Sequence, residues 1–312
     1  MGRPRVNSRP APAAEPSIKL SRYFIGLLDW GVPFANPLIV SGADSGYFEL
    51  LQGTVRSIRD KSQGRTIALG ILDVGLKAEE RRWLEQQGAS VVAPGWDLDF
   101  PDRDRTPRYK QAQYGRPFIP RHFPGHDLYL WIDADAWVQD WAAIELYLRA
   151  AENNVIALVP EIDRSYRNFY HAWEEFHGVI AEGYRAVFDE PLATVLARQP
   201  LLNNGVFALA AAAPHWQAWA DTLRAALQRS RNQLVDMTSL NHVIYEQKLP
   251  AHFLPAWCNW IAHHAEPRRD PASGALTEPN LPYQTLGIVH LTLWMKSRID
   301  LGYAGGHPSI GV

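Results

Sequence analysis

The stretch Leu128-Tyr129-Leu130-Trp131-Ile132-Asp133-Ala134-Asp135 decides how the rest of the chain is read. Its apolar run, 128–132, has the length of a fully buried strand, and two carboxylates separated by one residue stand at its C-terminal end. In a turn leaving such a strand, both carboxylates reach one hard cation from the same side. Mg²⁺ and Mn²⁺ take oxygen ligands and accept phosphate oxygens in their remaining positions. A bare Asp-x-Asp is common and reads most simply as a solvated turn. The apolar strand before it and its central place in the chain make Asp133 and Asp135 a candidate metal site.

Working outward from this strand, apolar runs alternate with helical spacings. Residues 37–40 read as a strand that enters the loop Ser41-Gly42-Ala43-Asp44, and 47–59 as a helix with Phe48, Leu51, Val55 and Ile58 on one face. Residues 66–72 and 90–93 are further strands, with a helix over 78–87 between them whose first turn carries Glu79 and Glu80. Beyond a helix at 109–118 and the central strand come a helix at 141–151, a strand at 155–159 and one or two helices within 164–198. A strand at 205–209, helices at 215–229 and 238–247, and short strands at 252–254 and 287–291 complete the series. Residues 266–282 are polar and Pro-rich and read as a loop. Alternation of this kind predicts an α/β fold with a mixed, mainly parallel sheet flanked by helices. Ligands bind such sheets at the carboxyl ends of the strands. Asp44, Asp73, Asp133 and Asp135 all fall there, which predicts one acidic edge.

Composition narrows the function. The 312 residues carry 31 Lys and Arg against 33 Asp and Glu, so charge gives no case for nucleic acid as a partner. The one cysteine, Cys258, excludes a disulfide framework within the chain and fits a reducing, cytoplasmic setting. Residues 1–20 read as a disordered tail and 21–312 as one domain, with a donor-binding half over about 37–140 and an acceptor-side half over about 141–300. No run is long and apolar enough to span a bilayer. Contact with the inner face of a membrane stays open, as does the oligomeric state.

Two further elements complete the candidate site. In His290-Leu291-Thr292-Leu293-Trp294-Met295-Lys296, a neutral imidazole closing a strand is a candidate third ligand, and the ammonium a candidate phosphate contact. In Ala43-Asp44-Ser45-Gly46-Tyr47, a carboxylate and a ring suit a nucleobase, although Asp44 or Ser45 also serves as a helix cap. The aromatics are ambiguous. Trp131 and Trp137 flank the acidic turn, and Trp257 and Trp260 with His263 and His264 make either an acceptor platform or a packed cluster. Tyr166, Tyr170, Trp173 and Phe176 recur at helical spacing and read as core.

In this order the motifs resemble those of the retaining glycosyltransferases of family 8, the group containing glycogenin and bacterial lipopolysaccharide galactosyl- and glucosyltransferases. Ala43-Asp44-Ser45-Gly46-Tyr47 resembles the family's nucleotide loop, Leu72-Asp73-Val74-Gly75-Leu76 its second-strand turn, and Tyr114-Gly115-Arg116 the Tyr-x-Arg before the metal strand. Asp133-Ala134-Asp135 falls at the Asp-x-Asp, and Asn203-Asn204-Gly205-Val206 at the segment beside the donor sugar. Asp236-Met237-Thr238-Ser239-Leu240-Asn241 and Leu254-Pro255-Ala256-Trp257-Cys258-Asn259 match the following blocks, and His290 and Lys296 keep the family's spacing. The resemblance covers about 38–296. It implies the GT-A glycosyltransferase fold and a Mn²⁺ or Mg²⁺ ion on Asp133, Asp135 and His290. It implies a UDP-sugar donor held by Asp44, Tyr47, Arg116 and Lys296, with Asn203, Asn204 and Asp236 at the sugar. The implied activity is hexose transfer with retention onto a glycan, lipid-linked or protein acceptor.

Three departures stand out. Met237 replaces the usual Gln, Trp294 and Met295 replace small residues, and Ser297-Arg298 replace the usual Pro-Trp. Met237 keeps a second expectation open, a catalytically silent protein of the same fold that binds a nucleotide sugar or glycan. Other Asp-x-Asp chemistries fit less well. A haloacid dehalogenase-type nucleophile opens its domain, and an EF-hand loop needs an oxygen ligand where Trp137 stands. No Gly-x-Ser-x-Gly elbow supports serine catalysis.

Overall fold

The structure is a computed structural model and describes residues 36–169 and 173–292. Its strands are β1 (Pro37–Ala43), β2 (Ala68–Asp73), β3 (Ala89–Val92), β4 (Leu128–Ile132), β5 (Ala136–Val138), β6 (Ile156–Pro160), β7 (Leu202–Ala210), β8 (Ala251–Phe253), β9 (Trp260–Ile261), β10 (Arg268–Arg269), β11 (Leu276–Thr277) and β12 (Ile288–His290). Its α-helices are α1 (Phe48–Arg59), α2 (Ala78–Gln86), α3 (Lys110–Gly115), α4 (Ile119–His122), α5 (Trp141–Ala150), α6 (Trp173–Arg185), α7 (Glu190–Leu196), α8 (His215–Arg229) and α9 (Val235–Tyr245).

Seven strands form the main sheet in the order β3-β2-β1-β4-β7-β6-β8. All neighbours are parallel except β7, which runs antiparallel to both β4 and β6. The expected mixed, mainly parallel α/β sheet is therefore present. Residues of β4 point alternately to two cores. Tyr129 and Trp131 join Val40, Leu72 and Phe207 on one face, against α8 and α9. Leu128, Leu130 and Ile132 join Ile39, Ile71 and Val206 on the other, against α1 and α5. A strand covered on both faces has no polar side to show, which is why the run reads as uninterrupted apolar sequence.

The reversal of β7 positions the site. In an antiparallel pair, the start of one strand meets the end of the other. Ile132 therefore pairs with Val206, and the Asp133 backbone N–H donates to the Gly205 carbonyl at 2.7 Å. Asn203 and Asn204 thus arrive beside the acidic turn. A second sheet, ordered β5-β12-β9, brings in the third component. His290 pairs with Ala136, directly after the turn, and lies beside Ile261.

Several expectations need correction. The segment 266–282 is not all loop, since β10 and β11 pair across it. Helix α9 begins at Val235, so Asp236 lies in its first turn. The stretch 164–198 holds two α-helices, and its aromatics do not share one face. Tyr166 is buried in a turn ahead of them, whereas Trp173 is half exposed. Tyr170 lies outside the described residues. Asp73 does not join the acidic edge. Its carboxylate accepts from the Gly75 and Leu76 backbone N–H groups and pairs with Arg81 at 3.0 Å, closing the turn after β2. Glu80 caps α2 through the Lys77 N–H at 2.7 Å and also takes the Ser45 hydroxyl, so it ties two loops together. No helix among the described residues is long and apolar enough to cross a membrane.

Candidate functional site

A cavity of about 530 Å³ opens at the C-terminal ends of β1 and β4. Asp44, Tyr47, Arg116, Asp133, Asp135, Asn203, Asn204 and His290 all line it. Asp236 stands behind the wall, buried and bonded to two lining residues. Lys296 lies outside the described residues. Asp44 lines the cavity and also accepts the Tyr47 N–H as a helix cap.

The acidic turn and His290 converge. His290 Nε2 lies 3.2 Å from Asp135 Oδ1 and 3.7 Å from Asp133 Oδ2, and one ligand atom from each of the three falls within 4.8 Å of the others. Two carboxylates and an imidazole form a hard oxygen and nitrogen donor set that suits Mg²⁺ or Mn²⁺. Burial works against charge on His290, but Asp135, Asp133 and Glu161 outweigh it and hold the imidazole above its ordinary range. A divalent cation held by these residues would compete with that proton and release it.

Asp133 divides its two oxygens. Oδ1 accepts from Arg116 Nη2 at 2.5 Å and from the Trp131 indole N–H at 2.6 Å, while Oδ2 faces His290. The other arm of Arg116 reaches Asp236 Oδ2 at 2.6 Å, and that oxygen also accepts from Asn204 Nδ2 at 3.0 Å. The guanidinium lies over the Trp131 ring and is buried. Burial opposes its charge, yet Asp133 and Asp236 raise its pKa further. Arg116 is placed here as a clamp between two carboxylates, a position the sequence does not reveal.

On the other side, a chain of hydrogen bonds fixes the imidazole. His264 Nε2 meets Glu161 Oε2 at 2.9 Å. Glu161 Oε1 accepts from Asn203 Nδ2 at 2.7 Å, Asn203 Oδ1 accepts from Asn259 Nδ2 at 3.0 Å, and Asn259 Oδ1 faces His290 Nδ1 at 3.1 Å. Burial alone would raise the Glu161 pKa, but the hydrogen bond and charge of His264, with Asn203, lower it. An ionised carboxylate only accepts, so each amide in turn has one orientation. The chain ends with Asn259 as acceptor, which puts a proton on His290 Nδ1 and leaves Nε2 as the nitrogen that faces Asp133 and Asp135. Support of this kind behind a metal-ligating histidine sets its tautomer and orientation.

Sequence reading did not find Glu161 or the linking role of Asn259. Glu161 directly follows an apolar strand, the same signal that marked Asp133, and Asn259 ends a motif already singled out. Gly205 also has a specific reason to be there, because a Cβ on it would stand 2.4 Å from His290 Cε1 and 2.7 Å from Asp133 Oδ2. Of the two readings of the aromatic group, the packed cluster is the one present. Trp260 is buried against Tyr166, and its N–H donates to the Ala265 carbonyl. His263 bonds Thr292, and burial beside His264 pushes its pKa down to about 4. Trp131 joins the core and the cavity wall at once.

No protein-family model matches the chain, and no curated protein matches it. Solved structures do. The apo structure of WbbM, a bifunctional glycosyltransferase, aligns at 15% identity and TM-score 0.53 over 84% of this chain and 46% of that one. The galactosyltransferase LgtC, in complex with donor and acceptor sugar analogs, aligns at 16% identity and TM-score 0.48 over 81% and 86%. GlyE, a glycosyltransferase of Streptococcus pneumoniae TIGR4, aligns at 15% identity and TM-score 0.47 over 84% and 56%. At such identities a likeness speaks for the fold, and the architecture here is that of a GT-A glycosyltransferase.

Proposed function

We propose that this protein transfers a hexose from a nucleotide-diphosphate donor to an acceptor hydroxyl with the help of a divalent metal. The observation that carries the reading is the meeting of Asp133, Asp135 and His290 at the floor of a cavity of nucleotide-sugar size. These three residues would hold Mn²⁺ or Mg²⁺, which when bound supplies a counter-charge for the leaving diphosphate. The motif resemblance favours UDP as the nucleotide, with Asp44 accepting from the base, Tyr47 stacking on it, and Lys296 at the diphosphate. Asn203, Asn204 and the Arg116–Asp236 pair would position the sugar.

In the reaction, the acceptor oxygen forms a bond to the anomeric carbon as that carbon's bond to the diphosphate oxygen breaks. The electron pair leaves on the diphosphate, and the hydroxyl proton passes to a diphosphate oxygen. Attack on the face the diphosphate leaves would retain the anomeric configuration. Asp236 would stabilise positive charge on the sugar ring through the residues it orients.

Calorimetric titration of UDP with and without Mn²⁺ tests the reading. Binding that requires Mn²⁺ and is lost in Asp135→Ala supports it, and metal-independent binding or full activity of that variant overturns it. One observation favours a second reading. Met237 lines the cavity where the resemblance calls for an amide, and a thioether does not hydrogen-bond a sugar as an amide does. A protein that binds UDP-sugars with Mn²⁺ but neither transfers nor hydrolyses them would be a nucleotide-sugar binder. An inverted linkage, read by NMR, would remove retention.

A further inference from the structure

A second, smaller cavity of about 250 Å³ adjoins the first, and Lys110 lines both. Its charged lining is unbalanced. Arg105, Lys110 and Arg231 face a single carboxylate, Asp102, which lies 3.7 Å from each of the two arginines. Lys110 is 6% exposed, and among the described residues no carboxylate or other acceptor pairs with its ammonium. It lies instead over the rings of Tyr109 and Tyr114, at 5.7 and 5.8 Å from their centroids. Ring faces attract a cation but leave its three N–H donors without acceptors. Burial accordingly lowers the Lys110 pKa, only partly offset by Asp236.

A second, independent observation lies on the same wall. Tyr114 is 2% exposed, and its hydroxyl is buried without a hydrogen-bond partner among the described residues. Burial and the nearby Asp236 raise its pKa, so it stays protonated as a donor. Lys110 brings an unpaired ammonium on a buried stem to the cavity that Tyr114 also lines, and the buried Tyr114 hydroxyl is costly to leave without an acceptor. The second cavity is lined by none of Asp133, Asp135 and His290. Lys110 therefore stands where the main cavity meets a space lined by none of the three, which is the sugar side on the function proposed above.

We propose that Lys110 and Tyr114, with Arg231, form an anion subsite that takes the carboxylate of an acidic sugar, so that the chain handles a uronic-acid type of substrate. The assignment of the sugar side rests on the function proposed above, whereas the anion subsite does not. The carboxylate belongs either to the transferred sugar or to the acceptor sugar, and the chemistry that recognises it is the same.

Two measurements on the full chain test this. Ligand-observed NMR with D-glucuronate and D-glucose needs no nucleotide. Glucuronate is expected to bind and glucose not, with binding lost in Lys110→Met and weakened in Tyr114→Phe. Calorimetry with UDP-glucuronate and UDP-glucose in Mn²⁺ then locates the acid. A preference of at least about tenfold for UDP-glucuronate, erased in Lys110→Met, places it on the donor. Equal donor affinities, with free glucuronate bound more tightly once UDP is present, place it on the acceptor. The proposal is overturned if wild type binds glucuronate no better than glucose, or if Lys110→Met lowers affinity for both donors equally, which would assign the ammonium to the diphosphate. Failure of UDP to bind removes the nucleotide reading and leaves the glucuronate result to decide the subsite.

Discussion

Two buried polar networks meet at Asp133, and they are built in opposite ways. On the Oδ1 side, one guanidinium is clamped between two carboxylates 120 and 17 residues away in sequence, all within 2.6 Å contacts. On the Oδ2 side, neutral amides pass orientation from Glu161 to His290. The first network is held by charge, so removing its centre leaves two carboxylates near one another with no counter-ion. The second is held by donor and acceptor order, so changing one end alters the direction of the chain. The difference separates folding from ligation: the Arg116 side should govern stability, and the Glu161 side should govern how well His290 presents itself to a cation.

The largest effect expected from this comparison is on the charged side. Arg116→Met should cost about 3–5 kcal/mol, the usual cost of breaking a buried pair by removing one partner. Chemical denaturation measures it, and an unchanged midpoint would mean that the clamp is dispensable. Gly205→Ala strikes both sides, because its Cβ collides with His290 and Asp133. A loss of about 1–3 kcal/mol is expected from overpacking, together with loss of Mn²⁺ binding in calorimetry. Normal Mn²⁺ affinity in that variant would show that the two ligands shift without penalty.

Glu161→Gln addresses the amide side alone. A glutamine can present either oxygen or N–H to Asn203, so the order of the chain is no longer fixed. Mn²⁺ affinity is expected to fall by about 10–100-fold, the range for outer-shell partners, in a protein whose circular dichroism is unchanged. Equal affinity in variant and wild type would mean that His290 keeps its tautomer without Glu161.

The smallest effect is one of pH. The Glu161 pKa is lowered in the folded chain from an ordinary value of 4.5. A depressed carboxylate contributes stability that is fully present above its unfolded pKa and is lost as pH falls through the folded one. Denaturation midpoints should therefore drop below pH 4.5 more steeply for wild type than for Glu161→Gln. Parallel curves would show that the carboxylate is not what His264 and Asn203 hold.

Much of this site was legible in the chain, and the limits of that legibility are physical. Asp133 and Asp135 were found because a five-residue apolar strand and the turn after it are local patterns. Asp73 was misplaced by the same rule. A carboxylate at a strand end is equally good at closing its own turn, and only the positions of Arg81 and the Gly75 N–H decide between the two uses. Arg116 was found as a motif residue but not as a clamp, since its partners come from β4 and α9. Glu161 was passed over although it too ends a strand, because its meaning depends on Asn203 and His264.

The sequence by itself determined the α/β architecture, the sheet's buried strands and the acidic turn at the end of the central one. Each follows from hydrophobic periodicity and strand length within a few residues. Only the tertiary structure decided which distant side chains share the site. Asn203 lines the same cavity as Asp133 because β7 runs backwards between β4 and β6, and His290 approaches Asp133 because β12 pairs with β5. Strand order and direction are set by how whole layers pack over one core. No local pattern carries that information, and so the donor order that aims His290 appears only once the chain is folded.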